Sequence, residues 1–288
     1  MKKEVNKFGE KMDYKTFEEK IKQRALKNAK DKSFVKNLLG NEVDFLKKLH
    51  NYSSMYNKLL SNMNVIDTIG EYNKSNSELE GVIALNGASG VGQSYVMKYI
   101  RDELDSNNID FERIYLLGMR DKREGEGYKD PYIFVNKEDD KFICRDKGKV
   151  YTRDDIYFEY ESRPNASNVI LKKDIKKADN QLMYLETVIP TLLKMKYESL
   201  SGLSPLEDKL NVVYLTAESG EEWLTRLAAR EPDQISDESY KNKLIGRIKS
   251  SLDDMKIVSD EKIPSVVNEY MKGKETAKKA LTAWGIYK

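Results

Sequence analysis

A short apolar run, Val82-Ile83-Ala84-Leu85, leads into Gly87-Ala88-Ser89-Gly90-Val91-Gly92-Gln93-Ser94, and helical periodicity resumes at Val96, Tyr99 and Ile100. Strand, glycine-rich turn and helix in that order leave few folds open. A phosphate needs several backbone N–H groups converging on it, and a Cβ would obstruct that approach. Gly87, Gly90 and Gly92 supply the open backbone, with Ser89 between them. A helix that begins at the loop offers its N-terminus to an anion. The pattern G-x-x-x-x-G-K-[ST] is met at every defined position except one, because Gln93 stands where the lysine belongs. Lysine brings compact positive charge to the β- and γ-phosphates, whereas glutamine brings a neutral amide. Loss of one well-placed donor costs about 3–4 kcal/mol of transition-state stabilisation, before the lost charge is counted. Lys98 lies further along the helix, points elsewhere, and is a poor replacement. Ser94 occupies the place where a hydroxyl meets a magnesium ion.

Further short apolar runs follow at Ile114–Leu117, Leu182–Leu185 and Val212–Leu215, with a helical pattern at Trp223, Leu224 and Leu227. Strand and helix alternating at this spacing predict an α/β fold with a parallel sheet flanked by helices. Ahead of it, residues 13–64 read as helices. Phe45, Leu49, Tyr52, Tyr56, Leu59 and Met63 recur at steps of four and three, the seam of an amphipathic helix. Gly40 and Asn41 read as a helix stop and the next N-cap. Such a seam packs on the main domain or pairs with a protein partner or a second copy of the chain. Residues 70–80 are polar and turn-rich, so the expected division is a helical N-terminal extension over 1–79 and a phosphate-loop domain over 80–288.

Composition excludes several chemistries. Lys plus Arg number 50 and Asp plus Glu 48, a net charge of +2 that gives no overall argument for nucleic acid or an acidic membrane. With one cysteine, Cys144, and one histidine, His50, the chain forms no intramolecular disulfide and no Cys/His zinc site. His50 falls in the amphipathic helix and reads as a packed or surface residue rather than a catalytic base. No apolar run approaches the ~20 residues of a membrane span. Met1-Lys2-Lys3-Glu4 opens no apolar signal core, so a cytoplasmic location is the expectation.

The loop Gly87–Ser94 resembles the phosphate loop of the guanylate kinase family, G-P-S-G-[AV]-G-K-[GS], with Ala88 replacing proline and Gln93 replacing lysine. A second segment is similar to the family's T-R-x-x-R-x-G-E-x-x-G-x-D-Y-x-F-V. Arg120, Arg123, Gly125, Glu126, Tyr132, Phe134 and Val135 match its spacing, while Met119, Lys129 and Pro131 depart from it. In the family the two arginines and the tyrosine hold the phosphate of the acceptor GMP, which suits the bidentate fork of arginine. Leu224 to Arg230 resembles the lid segment L-x-x-R-L-x-x-R. Arg226 and Arg230, four apart, would share a helix face, and Arg247 resembles a further lid arginine. The plain alternative for Arg226 is an i,i+4 pair with Glu222, and Pro232 soon ends the helix. Glu159 resembles the carboxylate that reads guanine, and Glu186 stands where the family carries an aspartate that supports magnesium through water. Lys256–Asp260 resembles the last strand, which in the family runs into an asparagine and acidic residues near the adenine.

The resemblance covers about residues 80–282, with acceptor and lid insertions at about 118–181 and 226–250. It implies a P-loop kinase fold that uses ATP and Mg2+ and passes a phosphoryl group to GMP or a related nucleotide substrate. Arg226, Arg230 and Arg247 would then cover for the lysine missing at Gln93. The alternative is a catalytically impaired module, a pseudokinase that binds nucleotide or protein. A third reading, a kinase acting on a nucleic-acid end, draws only on the Lys-, Asp- and Arg-rich stretch 139–181 and is the least expected.

Overall fold

The computed structural model describes residues 12–30, 42–72, 79–122, 124–129, 132–163 and 166–288. The helix stop expected at Gly40 and Asn41, the acceptor candidate Arg123, and Pro131 lie outside the described residues.

The chain is a mixed α/β protein built on a six-stranded sheet. The strands are β1 (Asn64–Val65), β2 (Gly81–Gly87), β3 (Phe111–Arg113), β10 (Leu182–Leu185), β11 (Leu210–Thr216) and β12 (Pro264–Val267). They lie in the order β1-β12-β11-β2-β10-β3. β10 runs parallel to both β2 and β3, and β12 runs parallel to both β1 and β11. Val82 to Leu85 are buried throughout, as a strand covered on both faces requires. Helices α3 (Gln93–Ser106), α4 (Lys172–Lys177), α5 (Ile189–Tyr197), α6 (Gly220–Ala228) and α7 (Glu238–Asp260) lie between strands in the chain, and α8 (Gly273–Ala283) follows the last of them.

Two compact units divide the chain. The first gathers residues within 1–71, 87–101 and 213–288. Its N-terminal helices, α1 (Tyr14–Asn28) and α2 (Val43–Leu60), pack in cis: both contact α6, and α2 also contacts α7. Asp13 caps α1, accepting from the Thr16 N–H at 3.0 Å. The buried face of α2 is Leu46, Leu49, Ser53, Tyr56, Asn57 and Leu60, turned from the expected seam, which leaves Phe45, Tyr52 and Leu59 half-buried. Leu49, Tyr56 and Met63 of the expected seam are buried, but the polar members Ser53 and Asn57 lie outside any apolar period. Ser53 Oγ and Asn57 Nδ2 each donate at 3.0 Å to the buried Glu221 carboxylate, and Asn57 Oδ1 accepts from the Gly220 N–H at 2.6 Å. His50 is a packed residue, with Nε2 2.8 Å from the Met12 carbonyl and its ring against Tyr14 and Phe17.

The strand expected at Lys256–Asp260 is the last turn of α7. Leu244, Ile248, Leu252, Met255 and Val258 are buried along one face, and this helical period carries the helix through to Asp260. The last strand is β12, and it runs into Asn268-Glu269.

The second unit holds residues within 72–86 and 102–212. It carries a second sheet in the order β7-β6-β5-β4-β9-β8, made of β4 (Leu117–Gly118), β5 (Ile133–Glu138), β6 (Lys141–Cys144), β7 (Val150–Thr152), β8 (Ile156–Arg163) and β9 (Ala166–Leu171). Leu117, Val135, Phe142 and Val169 centre its core. The run Ile114–Leu117 is not one strand: β3 ends before it at Arg113, and β4, in the other sheet, takes only Leu117. An apolar run marks burial, and here burial continues where the chain passes between sheets.

Candidate functional site

β2 ends at Gly87, and the loop to α3 is held from outside by three side chains of its own unit. Ser251 Oγ accepts from the Ser89 N–H at 3.0 Å. The Trp223 indole N–H donates to the Ser89 carbonyl at 2.8 Å. Asn268 Nδ2 donates to the Val91 carbonyl at 2.6 Å. Ala88 and Val91 are buried, and the Val91 N–H closes a turn on the Ala88 carbonyl at 3.1 Å. Among the described residues nothing accepts from the N–H of Gly90 or Gly92. Both take positive φ, +83° and +92°. At Gly92 a Cβ would also fall 2.9 Å from Asn268 Nδ2. Gly87 serves differently from the expectation, since close approach rather than an unusual angle requires it: a Cβ there would lie 2.8 Å from the Leu215 carbonyl.

A cleft of about 210 Å³ opens beside this loop, lined by Gly90, Val91, Gly92, Tyr95, Arg226 and residues 268–271. Arg226 is the only one of the expected lid arginines in that lining. Its Nε donates to Glu222 Oε1 at 2.9 Å, Nη1 to the Asn268 carbonyl at 3.0 Å and Nη2 to Glu218 Oε1 at 3.5 Å. The i,i+4 pair with Glu222 and a place beside the loop therefore coexist. Arg230 does not share a helix face with it, because α6 ends at Ala228 and Arg230 lies beyond, exposed. Arg247 is exposed on α7. Burial raises the phenol pKa of Tyr240, the Glu231 charge adds to the rise, and the charges of Arg247 and Arg230 oppose it.

Gln93 opens α3, and Ser94 is exposed on its first turn. Among the described residues no cluster of three or more His, Cys, Asp or Glu could hold a metal. A magnesium ion carried by phosphate oxygens and water needs only one or two protein ligands, and the Ser94 hydroxyl fits that role. Sequence reading missed Asn268, Glu269, Tyr270 and Met271. The signal was Val266-Val267 followed by Asn268-Glu269, masked by the strand assigned to the end of α7.

In the second unit, Arg120 and Tyr132 lie together, while Glu159 is bound by other residues. Arg120 Nη1 and Nη2 grip the Glu126 carboxylate at 2.7 and 2.6 Å, and the guanidinium lies 5.2 Å from the Tyr132 ring centroid and 5.1 Å from that of Phe134. The hydrogen bond to Glu126 raises the Arg120 pKa further, against burial. Glu159, on β8, accepts from Lys137 Nζ at 2.7 Å and Arg153 Nη1 at 2.5 Å. Burial alone would raise its pKa, but these two bonds hold it lowered. Glu186 pairs with Arg113 at 3.0 Å.

No family model and no curated protein sequence matches the chain. Among solved structures it is similar to a guanylate kinase from Anaplasma phagocytophilum, at 11% identity, covering 72% of this chain and 86% of that one, with a TM-score of 0.42. Likeness of that degree is too slight to carry function. Among the described residues no helix is long and apolar enough to cross a membrane.

Proposed function

We propose that the chain binds a nucleoside triphosphate as its magnesium complex on the loop Gly87–Ser94, and that it is a kinase-like phosphotransferase directed at GMP or a related monophosphate. The observation that carries the reading is the pair of N–H groups on Gly90 and Gly92, left without acceptors at the start of α3 while the outer face of the same loop is fastened by Ser251, Trp223 and Asn268. Donors held open by a rigid frame suit phosphate oxygens, which reward preorganised groups. In this reading Ser94 meets the magnesium, which would screen the phosphate charge. Arg226 runs beside the β- and γ-phosphates, and the base lies along Tyr270 and Met271. ATP is the expected donor. Arg120 and Tyr132 would receive the acceptor phosphate, Glu159 its base, and Glu186 would support the metal through water.

One observation favours a binding module with little transfer. Arg226 and Arg120 both have carboxylate partners already, and Gln93 adds no charge. A single experiment separates the two readings. Coupled ADP release across the four nucleoside monophosphates, with calorimetry of ATP–Mg2+, is run on wild type, Ser94→Ala and Gln93→Lys. Turnover in wild type well above Ser94→Ala supports the kinase. ATP binding without turnover, with activity raised at least about a hundredfold by Gln93→Lys, supports the binding module. No nucleotide binding to any of the three rejects both.

A further inference from the structure

Helix α1 reaches the cleft through Arg24. Its Nη1 donates to Glu222 Oε1 at 2.9 Å, the same oxygen that accepts from Arg226 Nε at 2.9 Å. Its guanidinium also lies over the Tyr270 ring, 4.8 Å from the centroid. Tyr270 lines the cleft, is 57% exposed, and has its backbone fixed by an N–H bond to Glu218 Oε1 at 2.6 Å. The end of α1 is held in register with α6 by Asn28, whose Nδ2 donates to the Ala229 carbonyl at 2.6 Å. An exposed tyrosine ring would ordinarily sample several rotamers. A guanidinium bound to a carboxylate on one side and laid against the ring removes that freedom and leaves a fixed aromatic wall.

We infer that Arg24 is a positioning residue for the base end of the bound nucleotide: it backs Tyr270 as a stacking wall and shares Glu222 with Arg226. The N-terminal helices are then part of the nucleotide site. Residues 1–79 would not be an extension that can be removed without consequence. This rests on the nucleotide reading above, and it adds a residue which the phosphate-loop pattern does not contain.

The test compares ligands with and without a base. Calorimetry on the full chain measures ATP–Mg2+ and inorganic tripolyphosphate–Mg2+ for wild type, Arg24→Ala, Tyr270→Ala and the double variant. Loss of the wall is expected to weaken ATP about tenfold in Arg24→Ala and in Tyr270→Ala, with the double variant no weaker than Tyr270→Ala. Tripolyphosphate should stay within about twofold throughout, which also reports that the variants are folded. Unchanged ATP affinity in Arg24→Ala overturns the inference and leaves the nucleotide reading standing. Equal losses for both ligands assign Arg24 to general support of the fold and also overturn it. Tripolyphosphate binding without ATP binding in wild type removes the base wall and Arg24's role while keeping the phosphate loop. Binding of neither ligand removes both readings.

Discussion

The two compact units both pair carboxylates with cations, and they differ in one buried carboxylate. In the second, carboxylates meet cations: Glu112 pairs with Lys177, Glu126 with Arg120, Glu159 with Lys137 and Arg153, and Glu186 with Arg113. The first pairs carboxylates with cations too, Glu222 with Arg24 and Arg226 and Glu42 with Lys241, but it also buries one against neutral partners. Glu221, fully buried, has only Ser53 and Asn57 as side-chain donors and no cation in ion-pair range among the described residues. Exposed ion pairs contribute little and tolerate loss. Buried groups held by single neutral donors are intolerant of it, because an orphaned partner keeps its full desolvation cost. The cluster of Ser53, Asn57 and Glu221 is therefore a place in the first unit where a lost partner costs most.

The largest expected effect tests that contrast directly. Asn57→Ala removes the donor to Glu221 Oε2 and the acceptor of the Gly220 N–H in one step. A lost hydrogen bond to a charged group plus an orphaned buried amide should cost about 3–5 kcal/mol. Urea denaturation followed by tryptophan fluorescence measures it, since Trp223 stacks on Tyr56, the residue just before the change. A cost under about 1 kcal/mol would erase the difference between the units.

The next effect belongs to the second unit. The Arg120–Glu126 fork has side-chain exposures of 12% and 15%, so it is more enclosed than the pairs at Glu112, Glu159 and Glu186. Glu126→Ala leaves Arg120 facing the Tyr132 and Phe134 rings with no carboxylate, and about 2 kcal/mol of destabilisation is expected, less than for a fully enclosed pair. The midpoint of thermal unfolding reads it. A cost equal to that of Asn57→Ala would show that both units depend on buried polar groups alike.

Most of the sheet was legible because its strands are contiguous apolar runs. Val82–Leu85, Leu182–Leu185 and Val212–Leu215 all lie in strands, and the loop follows the first as its glycines predict. Errors arose where burial and secondary structure part company. The run at Ile114 is buried between two sheets, and the end of α7 is apolar enough to pass for a strand when its five residues are read without the helical turns before them. The α2 face was found in part, at Leu49 and Tyr56, and its polar members Ser53 and Asn57 were not, since no period of apolar residues contains them. Arg24 was out of reach for a different reason. It meets Glu222 across 198 positions, and nothing in the local sequence marks a partner at that distance. Arg226 was found, and so was its i,i+4 partner Glu222, yet its other two acceptors, Glu218 and the Asn268 carbonyl, were not, since no helical spacing from Arg226 points to them.

The smallest effect concerns a carboxylate of the first unit that has neither kind of partner. Asp254, on α7, makes no hydrogen bond or ion pair among the described residues. Burial, with a smaller contribution from the neighbouring Asp253 charge, raises its pKa from 3.8 to about 6. The sign follows from proton counting. Between those values the folded chain holds a proton that the unfolded chain has released, so stability falls as pH rises through the window and stays lower above it. A rise of that size is worth at most ~3 kcal/mol, and partial exposure of the group to solvent brings the expected figure to about 1 kcal/mol. Asp254→Asn removes the charge with little change of shape. It should therefore stabilise the protein by about 1 kcal/mol at pH 8 and leave it unchanged near pH 4, where the aspartate is protonated in the folded state. Urea midpoints of both proteins from pH 4 to 8 decide the matter. Parallel curves would mean that solvent reaches the Asp254 carboxylate in the folded chain, and the difference between the units would rest on Glu221.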